Sequence, residues 1–223
     1  MSAGANRQIN MNCTEPSSRF VLLARDIKIS HSIFALPFAL LASYLAASGR
    51  GEPLRGDELG LVVMCMVLAR TVAMTMNRWA DRFIDQKNPR TALRAIPSGQ
   101  LTSKFVLNTA VVCSLLFVAA TSGFYFMNAN PWPVILSPIV LVWLAGYSFT
   151  KRFTWMCHLV LGSALAISPL AAAIAIYPPY LAHPAPYLLA LMVMCWVAGF
   201  DVIYALQDVS SDREKDVYSM PAS

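Results

Sequence analysis

Six long apolar runs constrain this chain more than any other feature: roughly Ile29–Ser48, Leu59–Met76, Phe105–Met127, Val134–Phe149, Trp155–Tyr177 and Tyr187–Ile203. A hydrocarbon core about 30 Å thick needs about 20 apolar residues per helix. Only structures that close their own backbone hydrogen bonds survive there. The runs show no amphipathic period of the kind a soluble bundle needs. Charged residues make up 13% of the chain, about half the soluble norm of roughly 25%. The expected fold class is therefore all-α, a polytopic transmembrane helix bundle. The first 28 residues are polar and carry Arg7, Arg19, Arg25 and Lys28. They lack the apolar core of a cleavable signal peptide, so the first run is expected to direct insertion. Residues 1–28 are read as a cytoplasmic N-terminal segment and 29–223 as one membrane domain.

A pI near 9.1 could suggest nucleic acid, but the placement of charge argues otherwise. Fourteen of the seventeen Lys and Arg lie before the first run, in alternate loops or after the last run. The intervening loops carry only Arg50 and Arg55, and Arg70 lies inside a run. This is the positive-inside pattern, and it places the N-terminus and the even-numbered loops in the cytoplasm. No nucleic-acid partner is expected. The expected location is the cell's inner (plasma) membrane. Cys13, Cys65, Cys113, Cys157 and Cys195 form no CxxC, and His31, His158 and His183 have no HExxH-like spacing. Small buried hydrophobes account for the former, and a zinc site has little support.

Two acidic segments leave the second and sixth runs on the cytoplasmic side, "NRWADRFID" and "DVIYALQDVSSD". At about 100° per residue, Asn77, Asp81 and Asp85 share one helical face within roughly 80°. On a continuous helix, Asp201, Asp208 and Asp212 would share a face within about 40°, with Tyr204 a turn from two of them. Two carboxylate stripes at one membrane face repel unless a cation lies between them. Mg2+ bridging to a diphosphate suits such oxygen donors. Arg70 sits two turns before Asn77, and an arginine inside a span requires an anion partner. An ion pair with Asp81 or Asp201 is one alternative, a ligand anion the other. Arg94, Lys151 and Arg152 are further cationic candidates on the same side, although the last two also serve as topology determinants.

These residues carry a resemblance. "NRWADRFID" is similar to the NxxxDxxxD motif of the UbiA superfamily of intramembrane prenyltransferases, and "DVIYALQDVSSD" resembles its second Asp-rich motif. "KNPRTALRAIPSGQL", "YSFTKRFTWMCHLVLG" and "KISHSIFALPFALLA" look like its two cytoplasmic loops and first span. Within the superfamily the chain most resembles 4-hydroxybenzoate polyprenyltransferases. "KNPRTALRAIPSG" and "WVAGFDVIYALQDV" look like a subgroup assigned to menaquinone synthesis through futalosine. The resemblance implies a bundle of about nine spans, two Mg2+ ions and a polyprenyl diphosphate whose tail lies in a lipid-open tunnel. It further implies that Asn77, Asp81 and Asp85 hold one Mg2+, and Asp208 and Asp212 the other. Asp81, Asp201 and Tyr204 would be catalytic, and Arg70, Arg94 and Lys151 would bind diphosphate, with Arg152 a further diphosphate candidate from its charge and side alone. With six spans read where nine are implied, the sequence is expected to be incomplete at its C-terminus. The implied reaction transfers a polyprenyl group to an aromatic acid in quinone synthesis, with 4-hydroxybenzoate and a futalosine-derived naphthoate both compatible as acceptors. An ion-coupled transporter and an inactive shortened homologue are the readings from other classes.

Overall fold

Six helices fall on the six apolar runs. The structure, a computed structural model, describes residues 18–27, 35–209 and 218–222. Helix α1 (Arg19–Asp26) is short, followed by α2 (Leu36–Arg50), α3 (Gly56–Lys87), α4 (Ser103–Asn128), α5 (Trp132–Gly146), α6 (Cys157–Ile176) and α7 (Ala185–Ala205). No strand occurs among the described residues. The segments built on α3 to α7 are long and apolar enough to cross a membrane. Helix α2 covers 15 described residues. The expected run began at Ile29, and residues 28–34 lie outside the described part.

Local signals set the helix ends. At the end of α2, Gly51 takes φ +80° and Glu52 N–H reaches back to Ala47 O at 3.3 Å, a left-handed cap that favours glycine. At the start of α3, Glu58 accepts the Arg55 N–H at 3.1 Å. The Thr102 hydroxyl accepts the Phe105 N–H at the start of α4. Two helices contain an internal proline, Pro138 in α5 and Pro169 in α6. Each proline lacks the N–H that would bond the carbonyl four residues earlier, at Val134 and Leu165. In both cases the preceding serine hydroxyl donates to that carbonyl at 2.8 Å, Ser137 to Val134 and Ser168 to Leu165. Lipid offers no replacement donor, so Ser-Pro is a self-contained solution.

Lipid-phase packing has little hydrophobic driving force between helices and relies on close approach of small residues. Ala39, Ala42, Ala46 and Ala47 of α2 accordingly cluster with Ala172, Ala173 and Ala175 of α6. A Cβ at Gly162 of α6 would lie 2.4 Å from Met194 O, so α6 and α7 touch there backbone to backbone. The outward surface carries exposed Leu115, Phe126, Ile139, Val142 and Leu188, as a lipid-facing bundle requires. At one end of the bundle, Glu58 is fully buried, binds Arg50 through both oxygens at 2.7 and 3.1 Å, and accepts from Asn128. The acidic segments lie at the other end. There α1 packs through Leu23 and Ile27 onto Ala95, Leu101 and Val106, and Asp26 pairs with Arg78 of α3 at 3.1 Å.

Candidate active site

Helix α3 does not stop at the expected end of its apolar run but continues eleven residues past Met76 to Lys87. Asn77, Asp81 and Asp85 therefore stand on one helix, and all three line a polar cavity of about 600 Å³. Asp81 and Asp85 are buried. The segment after α3 folds back over them. The Asn88 side chain accepts the Arg90 N–H at 3.0 Å, an Asx-turn, and the Thr91 hydroxyl donates to Asp85 O. This turn delivers Arg90 and Arg94 to the cavity.

The turn after α5, Tyr147–Arg152, is a 3-10 helix, in which residues i and i+3 eclipse. Ser148 and Lys151 consequently face the cavity together. Phe149 and Arg152 form the other pair, with the guanidinium 5.2 Å from the ring centroid. Arg152 donates to Ala80 O and does not line the cavity. The three-residue period turns it away from the cavity that the other cationic candidates, Arg94 and Lys151, line.

Arg70 lies apart from the polar cavity. Seven residues at about 1.5 Å each put it roughly 10 Å deeper than Asn77. It lines a second cavity of about 390 Å³, whose other walls are almost wholly apolar, between α3, α4, α5 and α6. Tyr147 borders both cavities. The ion pairs considered for Arg70 are not formed. Asp81 pairs with Lys151 and Asp201 with His158, and Arg70 Nε has no hydrogen-bond partner in the described structure.

The second acidic segment is not one helical stripe. Helix α7 ends at Ala205, where Gln207 N–H and Asp208 N–H bond back three residues to Tyr204 O and Ala205 O. Asp201 and Tyr204 remain on the helix, whereas Asp208 sits beyond it. Its carboxylate is drawn to Asn88 Nδ2 and Arg90 Nε, both at 3.0 Å. Asp212 lies outside the described residues. Asp201, Tyr204 and Asp208 all line the polar cavity.

Each described carboxylate of the cavity carries a basic partner. Lys151 Nζ is 2.6 Å from Asp81, Arg94 is 2.7 Å from both oxygens of Asp85, and Arg90 holds Asp208. The Asp208 hydrogen bonds raise the Arg90 pKa above its ordinary value. His158 Nδ1 is 2.7 Å from Asp201. Arg90 and His158 were not singled out from sequence. Arg90 looked like one loop charge among six, and His158 lacked any metal-ligand spacing. No group of three His, Cys, Asp or Glu among the described residues is gathered closely enough to hold a metal ion. The donor set nevertheless fits a hard divalent cation. It is all carboxylate and amide oxygen, and Asp81 Oδ1 is buried with no hydrogen-bond partner.

Fold and site together define a class: a multi-pass membrane bundle with an acidic, base-ringed cavity at one end, bordering an apolar cavity between its helices. Residues 35–223 match the UbiA prenyltransferase family, and the chain belongs to that family. It is 31% identical over 207 residues to 4-hydroxybenzoate octaprenyltransferase of Aliivibrio fischeri, covering 91% of this chain and 67% of that one. It is 30% identical to the protein of the same name from Psychromonas ingrahamii, covering 95% and 70%. The chain thus spans about two thirds of the length of these relatives. Among solved structures, it resembles the apo form of a UbiA homologue from Aeropyrum pernix K1 with a TM-score of 0.77 and 30% identity, covering 87% of this chain and 70% of that one. A UbiA homologue from Archaeoglobus fulgidus, solved with DMAPP and Mg2+, shares the fold at 15% identity and TM-score 0.65, covering 92% and 68%.

Proposed function

We propose that this chain carries the site for Mg2+-dependent transfer of a polyprenyl group from polyprenyl diphosphate to an aromatic acid, 4-hydroxybenzoate in the first instance. The site would face the cytoplasm from the inner membrane. One observation carries the reading: five oxygen-donor side chains, Asn77, Asp81, Asp85, Asp201 and Asp208, line one cavity that borders an apolar one at Tyr147. A polar diphosphate head and an apolar prenyl tail need that pairing.

Asn77, Asp81 and Asp85 would hold one Mg2+, and Asp208 with Asp212 the other. Bound Mg2+ would offset charge on the diphosphate as it leaves. Lys151 and Arg94, now paired with Asp81 and Asp85, would turn to phosphate oxygens once those carboxylates are engaged, and Arg90 would do the same from Asp208. The allylic C–O bond breaks and the diphosphate departs with the electron pair. A ring carbon of the acceptor forms the new C–C bond, and the ring then loses a proton, a step we assign to Asp201 of the same cavity. Tyr204 lines the same wall. Arg70 is a cation deep in an apolar cavity with an unpartnered Nε, and burial of that kind calls for an anion. We assign it the acceptor's carboxylate in place of the diphosphate. The apolar walls would keep water from the allylic cation.

Membranes holding the chain, a short polyprenyl diphosphate and Mg2+ should yield prenylated product with 4-hydroxybenzoate, or with a futalosine-pathway naphthoate if that is the acceptor. EDTA and Asp81→Ala should each abolish it with helix content unchanged. Turnover within a few-fold of wild type in Asp81→Ala would refute the metal assignment.

A further inference from the structure

Among the described residues, Asp201 is the one acidic residue of the cavity whose partner is a histidine. His158 is 3% exposed. The Asp201 side chain is 38% exposed and lines the cavity. The pair joins the first turn of α6 to the last turn of α7. On the far side of the imidazole, the backbone N–H of Met220 donates to Nε2 at 3.2 Å. A ring nitrogen that accepts a hydrogen bond cannot carry a proton. The proton of the neutral ring therefore sits on Nδ1, which donates to Asp201 Oδ2 at 2.7 Å.

The segment that supplies this N–H is fixed at two other points. Tyr218 N–H donates to Lys151 O at 2.9 Å, and Cys157 Sγ donates to Tyr218 O at 3.4 Å. Lys151 is the partner of Asp81. The stretch Tyr218–Met220 thus ties the turn that carries Lys151 to the histidine that holds Asp201.

We propose that His158 is a positioning residue for Asp201: its Nδ1–H anchors one carboxylate oxygen, and the Met220 N–H fixes the tautomer that makes this possible. A freely rotating carboxylate at the mouth of α7 would sample many orientations. Anchored through Oδ2, it presents one face to the cavity, where the prenyl-transfer reading above, on which this inference rests, needs a proton acceptor. With Nε2 accepting from Met220, the ring donates to Asp201 through Nδ1 alone.

Two side chains separate the halves of this arrangement. Asparagine at 158 can place an amide N–H near the position of Nδ1. Glutamine places its amide near Nε2, where it can meet Met220 but cannot serve Asp201. In full-length chain reconstituted in nanodiscs, His158→Gln and His158→Ala should lower kcat roughly tenfold to a hundredfold, the usual range for losing an orienting partner. The KM for prenyl diphosphate should not change, and His158→Asn should recover most of the loss. Equal loss in all three variants, or none in any, would overturn the proposal. A second measurement needs no turnover. Nitrogen-15 NMR of the histidine rings, with the His158 signal identified by its disappearance in His158→Asn, should show Nδ1 protonated and Nε2 bare. The opposite tautomer would also overturn it. If wild type reacts with neither acceptor, prenyl transfer is the reading that fails, and the ring tautomer still decides the role of His158.

Discussion

Lys151→Met tests how the acidic cavity is held together. The Lys151 side chain is 26% exposed, and its partner Asp81 is 3% exposed. Asp81 Oδ1 already lacks a hydrogen-bond partner. Methionine fills similar volume but leaves the Asp81 carboxylate buried with no counter-charge. Removing one member of a buried pair costs about 3–5 kcal/mol, and the partial exposure of Lys151 favours the lower end. For a chain of this size each kcal/mol moves Tm by roughly 2–4 °C, so the expected loss is roughly 6–12 °C. Tryptophan fluorescence during heating in detergent reads it. Asp81→Asn in the same chain removes the orphaned charge, so Asp81→Asn/Lys151→Met should regain most of the lost stability. Saturating Mg2+ should raise the Tm of Lys151→Met more than that of wild type, because binding to the native state adds about 2.7 kcal/mol at a hundredfold excess over Kd and no ammonium competes. A Lys151→Met chain as stable as wild type would refute the reasoning. So would a double variant as unstable as the single one.

Three further outcomes follow from other parts of the molecule. Arg70→Met should raise KM for the aromatic acid roughly tenfold to a hundredfold, the loss of a charge-assisted hydrogen bond of about 1.5–3 kcal/mol, and leave KM for prenyl diphosphate unchanged; steady-state kinetics varying each substrate separates the two. Glu58→Ala should destabilise the bundle by about 3 kcal/mol by removing the buried partner of Arg50 and Asn128, with Glu52 at 3.3 Å left as the only carboxylate on Arg50 among the described residues, with Glu58→Gln milder, both read by thermal unfolding with Mg2+ affinity unaffected. Gly162→Leu places side chain where Met194 O already stands. It should force α6 and α7 apart and abolish monodisperse folded material in size-exclusion chromatography.

The bundle itself was legible in the sequence. Apolar length sets the number and rough bounds of spans, because lipid gives an unpaired backbone nowhere to bond. The stripe Asn77, Asp81, Asp85 was legible for the same reason. It lies on a helix that continues, so its four-residue period survives into three dimensions. The period failed where the helix did. Helix α7 stops at Ala205, and Asp208 is placed by Arg90 and Asn88, 118 and 120 residues away in the chain. Arg152 faces away from the cavity because a 3-10 turn repeats every three residues. Arg70 lines the apolar cavity because depth along an axis, as well as face, decides which cavity a side chain enters. His158 and Arg90 carried no local signal at all. Their roles come from partners that only folding brings near, Asp201 across two helices and Asp208 across the bundle. Periodicity and solvent fix which residues share a helix face. Only the packed chain fixes which charge answers which.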